Sequence, residues 1–403
     1  MKRLLNFFLW GVILLTTLAS CHDDAVDINE VNQQTILVYM PWADNLSTQF
    51  FPDNLADIET GIATKKGLGK SRVLVFYSHN TEYATLYEYT YTNGKVSREN
   101  IKEFNFDECN YTTAQGITQI LNTVKEQAPA LNYAMIIGCH GSGWTEKGSW
   151  LNYPNYAKEL ALAKEGTANG YEPTRFFGSV TDINKYGTDI STLRQGIKDA
   201  GMKMQYILFD DCYMANIEVA YELREVTNYL IASTSEVMAK GMPYADMWSY
   251  LSSATPNYSG VVTAFNKYYS SYSTPCGAIG AINCRQVDSL AVLMKEVNQK
   301  FTITNDSLQK VQVLDGFNTP LFYDLGDYLK KTCTDKKILN RITAQLDHVV
   351  PSKASTARIY SYLYGSPKYV EVKEFSGITI SDPSAHPVAI RGKEQTSWWQ
   401  ATH

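Results

Sequence analysis

YILFDDCYMANIEVAYELRE, residues 206–225, decides how this chain is read. Its first four residues are apolar and aromatic, the composition of a buried strand. Two acids and a cysteine follow at once. An apolar spacing of three and four then predicts a helix over 213–225. Strand, polar corner and helix together form the βα half of a parallel α/β unit. A cysteine at that corner would sit at the positive end of the helix dipole, which favours thiolate. If strand geometry persists through the corner, Asp210 points to the side of Cys212 and Asp211 points away.

The same alternation runs outward in both directions. Strands are expected at 35–40, 72–77, 85–91, 133–138, 206–209, 229–233 and 277–283. Helices are expected at 46–63, 113–128, 188–200, 213–225, 258–272, 287–302 and 338–349. Short apolar runs between helices predict a mostly parallel central sheet. Asn93-Gly94, between two extended runs, marks a hairpin. After about residue 285 the pattern turns helical, ending in strand-like runs at 369–374 and 377–381. That tail is either an accessory lobe or a set of layers on the same sheet. The domains are then 1–20 (leader), 21–33 (tether), 34–285 (catalytic α/β domain) and 286–403 (C-terminal extension). Residues 150–185, polar and rich in Gly, Pro and Tyr, break the rhythm and read as an exposed insertion.

A second strand also ends in unusual chemistry. YAMIIGCHGSGW (133–144) runs into Cys139, His140 and Gly141. Ligands of open α/β sheets bind beyond the carboxyl ends of the strands. If the two strands are neighbours, His140 and Cys212 share one rim. An imidazole there takes the thiol proton or protonates a leaving amine. The N–H groups of Gly141 and Cys212 could form an oxyanion hole, where one donor is worth roughly 3–4 kcal/mol. Asp210, two residues from the thiol, could floor a pocket for a Lys or Arg side chain. Cys212 alone would read as a small buried hydrophobe. Of the six histidines, only His79 competes with His140, and it lacks an accompanying glycine turn.

The bulk numbers fit an ordinary globular enzyme. The 403 residues are 44% hydrophobic and 19% charged, with a formal net charge of −5, so nothing favours nucleic acid as a partner. Lys2 and Arg3, then an apolar stretch over 4–18, form a secretion leader. It ends in Leu18-Ala19-Ser20-Cys21, similar to a bacterial lipobox in which Cys21 is lipidated. The anchor would hold the protein at the bacterial cell envelope, in the outer membrane or at the cell surface. Six cysteines remain, with no zinc spacing and no HExxH, so no metal or other cofactor is expected. If one thiol must stay reduced, an odd number is left, and few or no disulfides are expected.

IIGCHGSGW (136–144), YILFDDCYMANIEVAYELRE and YLIASTSEVMAKGMPY (229–244) together resemble the clostripain family of cysteine peptidases, and FSGITISDP with SWWQATH is similar to the family's terminal segment. The resemblance implies a caspase-like α/β/α sandwich with a smaller C-terminal addition. It implies His140 as general base and acid, Cys212 as nucleophile, and Asp210 as the acid selecting Arg or Lys at P1. Glu236 falls in the specificity loop as a substrate-binding residue. The resemblance also implies protein or peptide substrates, and self-activation by a cut between the two motifs, where Lys147, Lys158, Lys164, Arg175 and Lys185 lie. A monomer is expected. Calcium dependence occurs in part of the family, but no oxygen-rich loop here argues for it. Two residues depart from the family pattern. Asp211 replaces a small residue and would raise the thiol pKa if it faced inward. Lys240 stands where some relatives carry an acid. These departures keep open a weak or inactive clostripain-like binding lipoprotein; a separate alternative is another cysteine hydrolase, such as an amidase acting on small amides.

Overall fold

Seven of the chain's strands were expected from apolar runs alone, and all seven form in a single nine-stranded sheet. The computed structural model describes residues 32–41, 45–151, 174, 183–273, 275–363 and 366–403. The leader and the tether up to residue 31, Cys21 included, lie outside them, as do Lys158, Lys164 and Arg175. The sheet comprises β1 (Gln34–Met40), β2 (Ser71–Ser78), β3 (Tyr83–Thr92), β4 (Lys95–Asn105), β5 (Asn132–Gly138), β6 (Met204–Asp210), β7 (Tyr229–Ala232), β8 (Ala278–Asn283) and β10 (Ser352–Ser355). Their order is β10-β8-β7-β6-β5-β1-β2-β3-β4. The middle five, β7-β6-β5-β1-β2, are parallel. Antiparallel strands extend the sheet at both edges. β1 is buried along its whole length, as a central parallel strand covered on both faces must be.

Helices cover the two faces. On one lie α1 (Asn45–Thr64), α5 (Tyr244–Leu251) and α6 (Tyr258–Ser270). On the other lie α2 (Ala114–Gln127), α3 (Ile190–Asp199), α4 (Ile217–Leu223), α7 (Val287–Lys300) and α8 (Lys336–Val349). α2 shows why such helices form. Thr113 caps it by accepting the Gly116 N–H, and Ile117, Ile120, Leu121 and Val124 make a buried stripe. Each buried side chain of that size contributes about 1.5–3 kcal/mol.

The C-terminal part is layered onto the same unit, which runs from Asn32 to His403. β10 pairs with β8 at the sheet edge. Two small ribbons lie outside the sheet: β11 (Arg358–Ser361) with β12 (Lys368–Glu371), and β13 (Thr379–Ile380) with β9 (Tyr323–Asp324).

The helix expected over 213–225 begins later. Its cap is Asn216, whose side chain accepts the Val219 N–H, and the helix spans only Ile217–Leu223. Residues 213–216 are held by strand-type bonds instead. Tyr213 N–H donates to Ser235 O, Ala215 N–H to Ser233 O, and Thr379 N–H to Ala215 O. Those partners come from distant parts of the chain, so local helical spacing did not reveal them. Cys212 is therefore not in a first helical turn, and the helix-dipole argument for its thiolate does not hold.

Candidate active site

The site begins with a register. Gly138 of β5 pairs with Asp210 of β6 in parallel strands. His140 and Cys212 each lie two residues beyond that pair, at one rim of the sheet. Adjacent strands run about 4.8 Å apart, so the two loops leave side by side. Their backbones press together. A β-carbon on Gly141 would come within 2.5 Å of Cys212 O and 3.1 Å of Cys212 N. Gly143, at φ +66°, lies as close to Asn216 and Tyr213. Only glycines allow the His-Gly-Ser-Gly loop to lie on the 211–216 turn.

Cys212 is fully buried, and its Sγ accepts the Val237 N–H at 3.2 Å. The next residue, Tyr213, has φ +62°, a strained conformation for an aromatic residue. Asn216 Nδ2 donates to Tyr213 O at 2.6 Å, and the Tyr213 ring stacks on Phe322 at 4.8 Å. The Tyr213 hydroxyl donates to Glu236 Oε1 at 2.8 Å. Strain of this kind persists only where surrounding contacts over-determine it, and it clusters at functional sites.

The acids separate by face, as the pleat requires. Asp210 turns toward α5, accepting the Met242 N–H at 3.0 Å and the Tyr244 hydroxyl at 2.7 Å. Asp211 turns the other way, accepting the Cys139 N–H at 2.6 Å. Glu236 is buried, and its carboxylate accepts from four groups: Thr174 Oγ1, the Tyr213 hydroxyl, Ser361 Oγ and the Tyr362 N–H. Burial pushes its pKa up, and these hydrogen bonds partly offset that. Glu236 thereby joins segments that are distant in sequence. Lys240 is exposed, and its carbonyl accepts from Asn54 at 2.7 Å.

His79 directly follows β2, three strands from β6 and so roughly 14 Å away. It bonds Thr85 at 2.9 Å and stacks on Tyr83, so it does not join the site. Next to His140 a cleft of about 850 Å³ opens between β1, β5, α2 and α3, lined by Tyr39, Cys139, Asp211, Tyr186 and Leu193 among others. Chain connections leave β1 in opposite directions at this point, the usual ligand crevice of an open α/β sheet. Among the described residues, no group of three or more His, Cys, Asp or Glu is placed to hold a metal ion.

Sequence reasoning missed Thr174, Tyr213 and Tyr244. Thr174 falls in the insertion read as exposed, yet it is buried and forms an antiparallel bridge with Met238. Nothing local marks it. Tyr213 carries no sequence signal, because its strain is imposed by partners far along the chain.

Residues 168–383 match the clostripain family of peptidases. The chain is 42% identical to a secreted C11 cysteine protease from Bacteroides thetaiotaomicron, over 93% of this chain and 99% of that one, with a TM-score of 0.81. A clostripain from B. thetaiotaomicron, solved with the peptide inhibitor BTN-VLTK-AOMK, is 50% identical over 55% of this chain and 96% of its own, with a TM-score of 0.52. An inactive zymogen C11 protease from Parabacteroides distasonis shares the fold at 23% identity over 93% of this chain and 99% of that one, with a TM-score of 0.74. No curated protein matches the chain.

Proposed function

The chain belongs to the clostripain family of cysteine peptidases, and from that premise we propose that it is an endopeptidase cutting after Arg or Lys with a Cys212–His140 dyad. The Gly138–Asp210 register carries this reading, because it brings the two loops to one rim. The Cys212 thiolate attacks the scissile carbonyl carbon. The Gly141 and Cys212 N–H groups take the developing oxyanion. His140, holding the thiol proton, passes it to the leaving amine, and the C–N bond breaks. His140 then accepts a proton from water, whose oxygen attacks the acyl-enzyme and releases the acid and the thiolate.

Asp210 is the P1 acid. Its carboxylate accepts from the Met242 N–H and the Tyr244 hydroxyl, which hold its orientation. The related clostripain's inhibitor peptide, VLTK, ends in a basic residue, in keeping with that preference. The binding-only alternative drew on Asp211 and Lys240. Asp211 accepts the Cys139 N–H, and Lys240 is exposed. Maturation proceeds by a cut between the two motifs. Lipidation at Cys21 holds the monomeric enzyme at the bacterial cell envelope, where it meets protein or peptide substrates. Hydrolysis of Arg- and Lys-containing reporter peptides by wild type and by Cys212→Ala tests the proposal. Undiminished turnover by Cys212→Ala would refute it.

A further inference from the structure

A peptide has residues on both sides of its scissile bond, and Asp210 accounts for one side only. Asp210 turns toward α5, on the face of the sheet that carries α1, α5 and α6. The cleft beside His140 opens on the opposite face, between β1, β5, α2 and α3. Asp211, which alternates in direction with Asp210, lines that cleft. The rim therefore has a recess on each face of the sheet, with the His140 and Cys212 loops between them.

The cleft is walled largely by apolar side chains. Tyr39 and Ile137 come from β1 and β5, Ile117 from α2 and Leu193 from α3, while Phe209 and Met214 come from β6 and the turn after it. Two charged residues of the wall, Lys147 and Asp189, are bonded within it. Asp189 Oδ1 accepts the Lys147 N–H at 2.9 Å, and Lys147 Nζ donates to Gly187 O at 3.0 Å. At about 850 Å³ the cleft has room for a bulky side chain.

His140 fixes which part of a substrate comes here. In the proposed reaction it protonates the leaving amine, so that nitrogen lies roughly 3 Å from the imidazole. The side chain of the first leaving residue, P1′, branches from the carbon bonded to that nitrogen. Successive side chains of an extended peptide point to opposite sides. With P1 directed to the face of Asp210, P1′ is directed to the face of the cleft. We propose that this cleft is the subsite for P1′, and that it selects a bulky apolar residue such as Leu immediately after the scissile bond. The proposal rests on the dyad reading and narrows the substrate class of the same site.

Two lysyl peptides that differ only at P1′, Leu against Gly, test it in competition on wild-type enzyme. The Leu peptide should have a kcat/KM higher by roughly tenfold or more. Leu193→Trp, which fills the cleft from α3, should bring that ratio toward one. Equal values in wild type, or a ratio unmoved by Leu193→Trp, overturn the subsite.

Where Leu193→Trp fails to fold, capture of the acyl-enzyme decides in wild type alone. The acyl-enzyme formed from Nα-acetyl-lysine methyl ester is offered leucinamide and glycinamide. The amine nitrogen attacks the thioester carbonyl and a C–N bond forms. The C–S bond breaks, the thiolate leaves, and the amine proton passes to His140. Leucinamide should capture the acyl group about fivefold better or more, and equal capture overturns the subsite. Ester hydrolysis without P1′ discrimination removes the subsite and leaves the peptidase reading standing. Wild type inert toward the ester and both peptides defeats the peptidase reading, and the subsite with it.

Discussion

Gly141 and Cys212 lie so close that a β-carbon on the glycine would sit 2.5 Å from the Cys212 carbonyl oxygen and 2.7 Å from Asp211 Cβ. Both obstacles are on the turn after β6 that carries the thiol, so neither moves without moving Cys212. Gly141→Ala should therefore cost about 1–3 kcal/mol of stability through overpacking. Displacing the proposed oxyanion donors should lower kcat by roughly 10²-fold or more. A thermal melt and a steady-state assay check both, and an alanine enzyme with full kcat would separate Gly141 from the chemistry.

Asp210→Asn keeps the shape and removes the charge. Turnover of Arg and Lys peptides should fall by about tenfold or more in kcat/KM, with little change for peptides carrying a neutral P1. Tyr244→Phe is the control, since it removes one donor to the same carboxylate. It should cost about 1 kcal/mol of stability and leave the P1 preference in place. Equal losses for basic and neutral P1 peptides would make Asp210 structural.

Processing should appear as two fragments from wild type and one intact chain from Cys212→Ala. The expected cut follows one of the basic residues between the two motifs, Arg175 among them. Lys147, Lys158, Lys164 and Lys185 are the competing positions. N-terminal sequencing of the larger fragment distinguishes them.

His386 gives a pH signature unrelated to catalysis. Its ring lies against Trp150 and Phe317, and its Nδ1 caps a helix by accepting the Val388 N–H. Burial pushes its pKa from 6.5 down to about 4. Between those values the unfolded chain binds a proton that the folded chain does not. Stability from this group therefore rises with pH through that window, is complete above 6.5, and is lost as pH falls toward 4. His386→Asn retains a capping side chain and should flatten that part of the denaturation-against-pH profile. An unaltered slope would show that His386 does not titrate in the window.

Much of the fold was legible because its signals are local. Thr35 to Met40 and Tyr206 to Phe209 are continuous apolar runs, and only strands buried on both faces require such runs. The rim residues were legible because polar chemistry stops those runs abruptly at His140 and Cys212. What the sequence hid depends on partners distant in the chain. The turn over 213–216 stays out of the helix because Ser233, Ser235 and Thr379 bond its backbone. Asp210 and Asp211 take opposite faces as pleat alternation requires, but their partners Tyr244 and Cys139 belong to other loops. For Glu236 only its position in the chain was visible, and its four donors were not.

The convergence of His140 and Cys212 is tested most directly by covalent trapping. Cut enzyme is incubated with a peptide electrophile ending in Lys, digested, and searched for the adduct by mass spectrometry. The expected adduct is on Cys212, formed much more slowly after His140→Ala. An adduct on Cys139 or another cysteine, or a Cys212 adduct that forms at an undiminished rate without His140, would contradict the dyad.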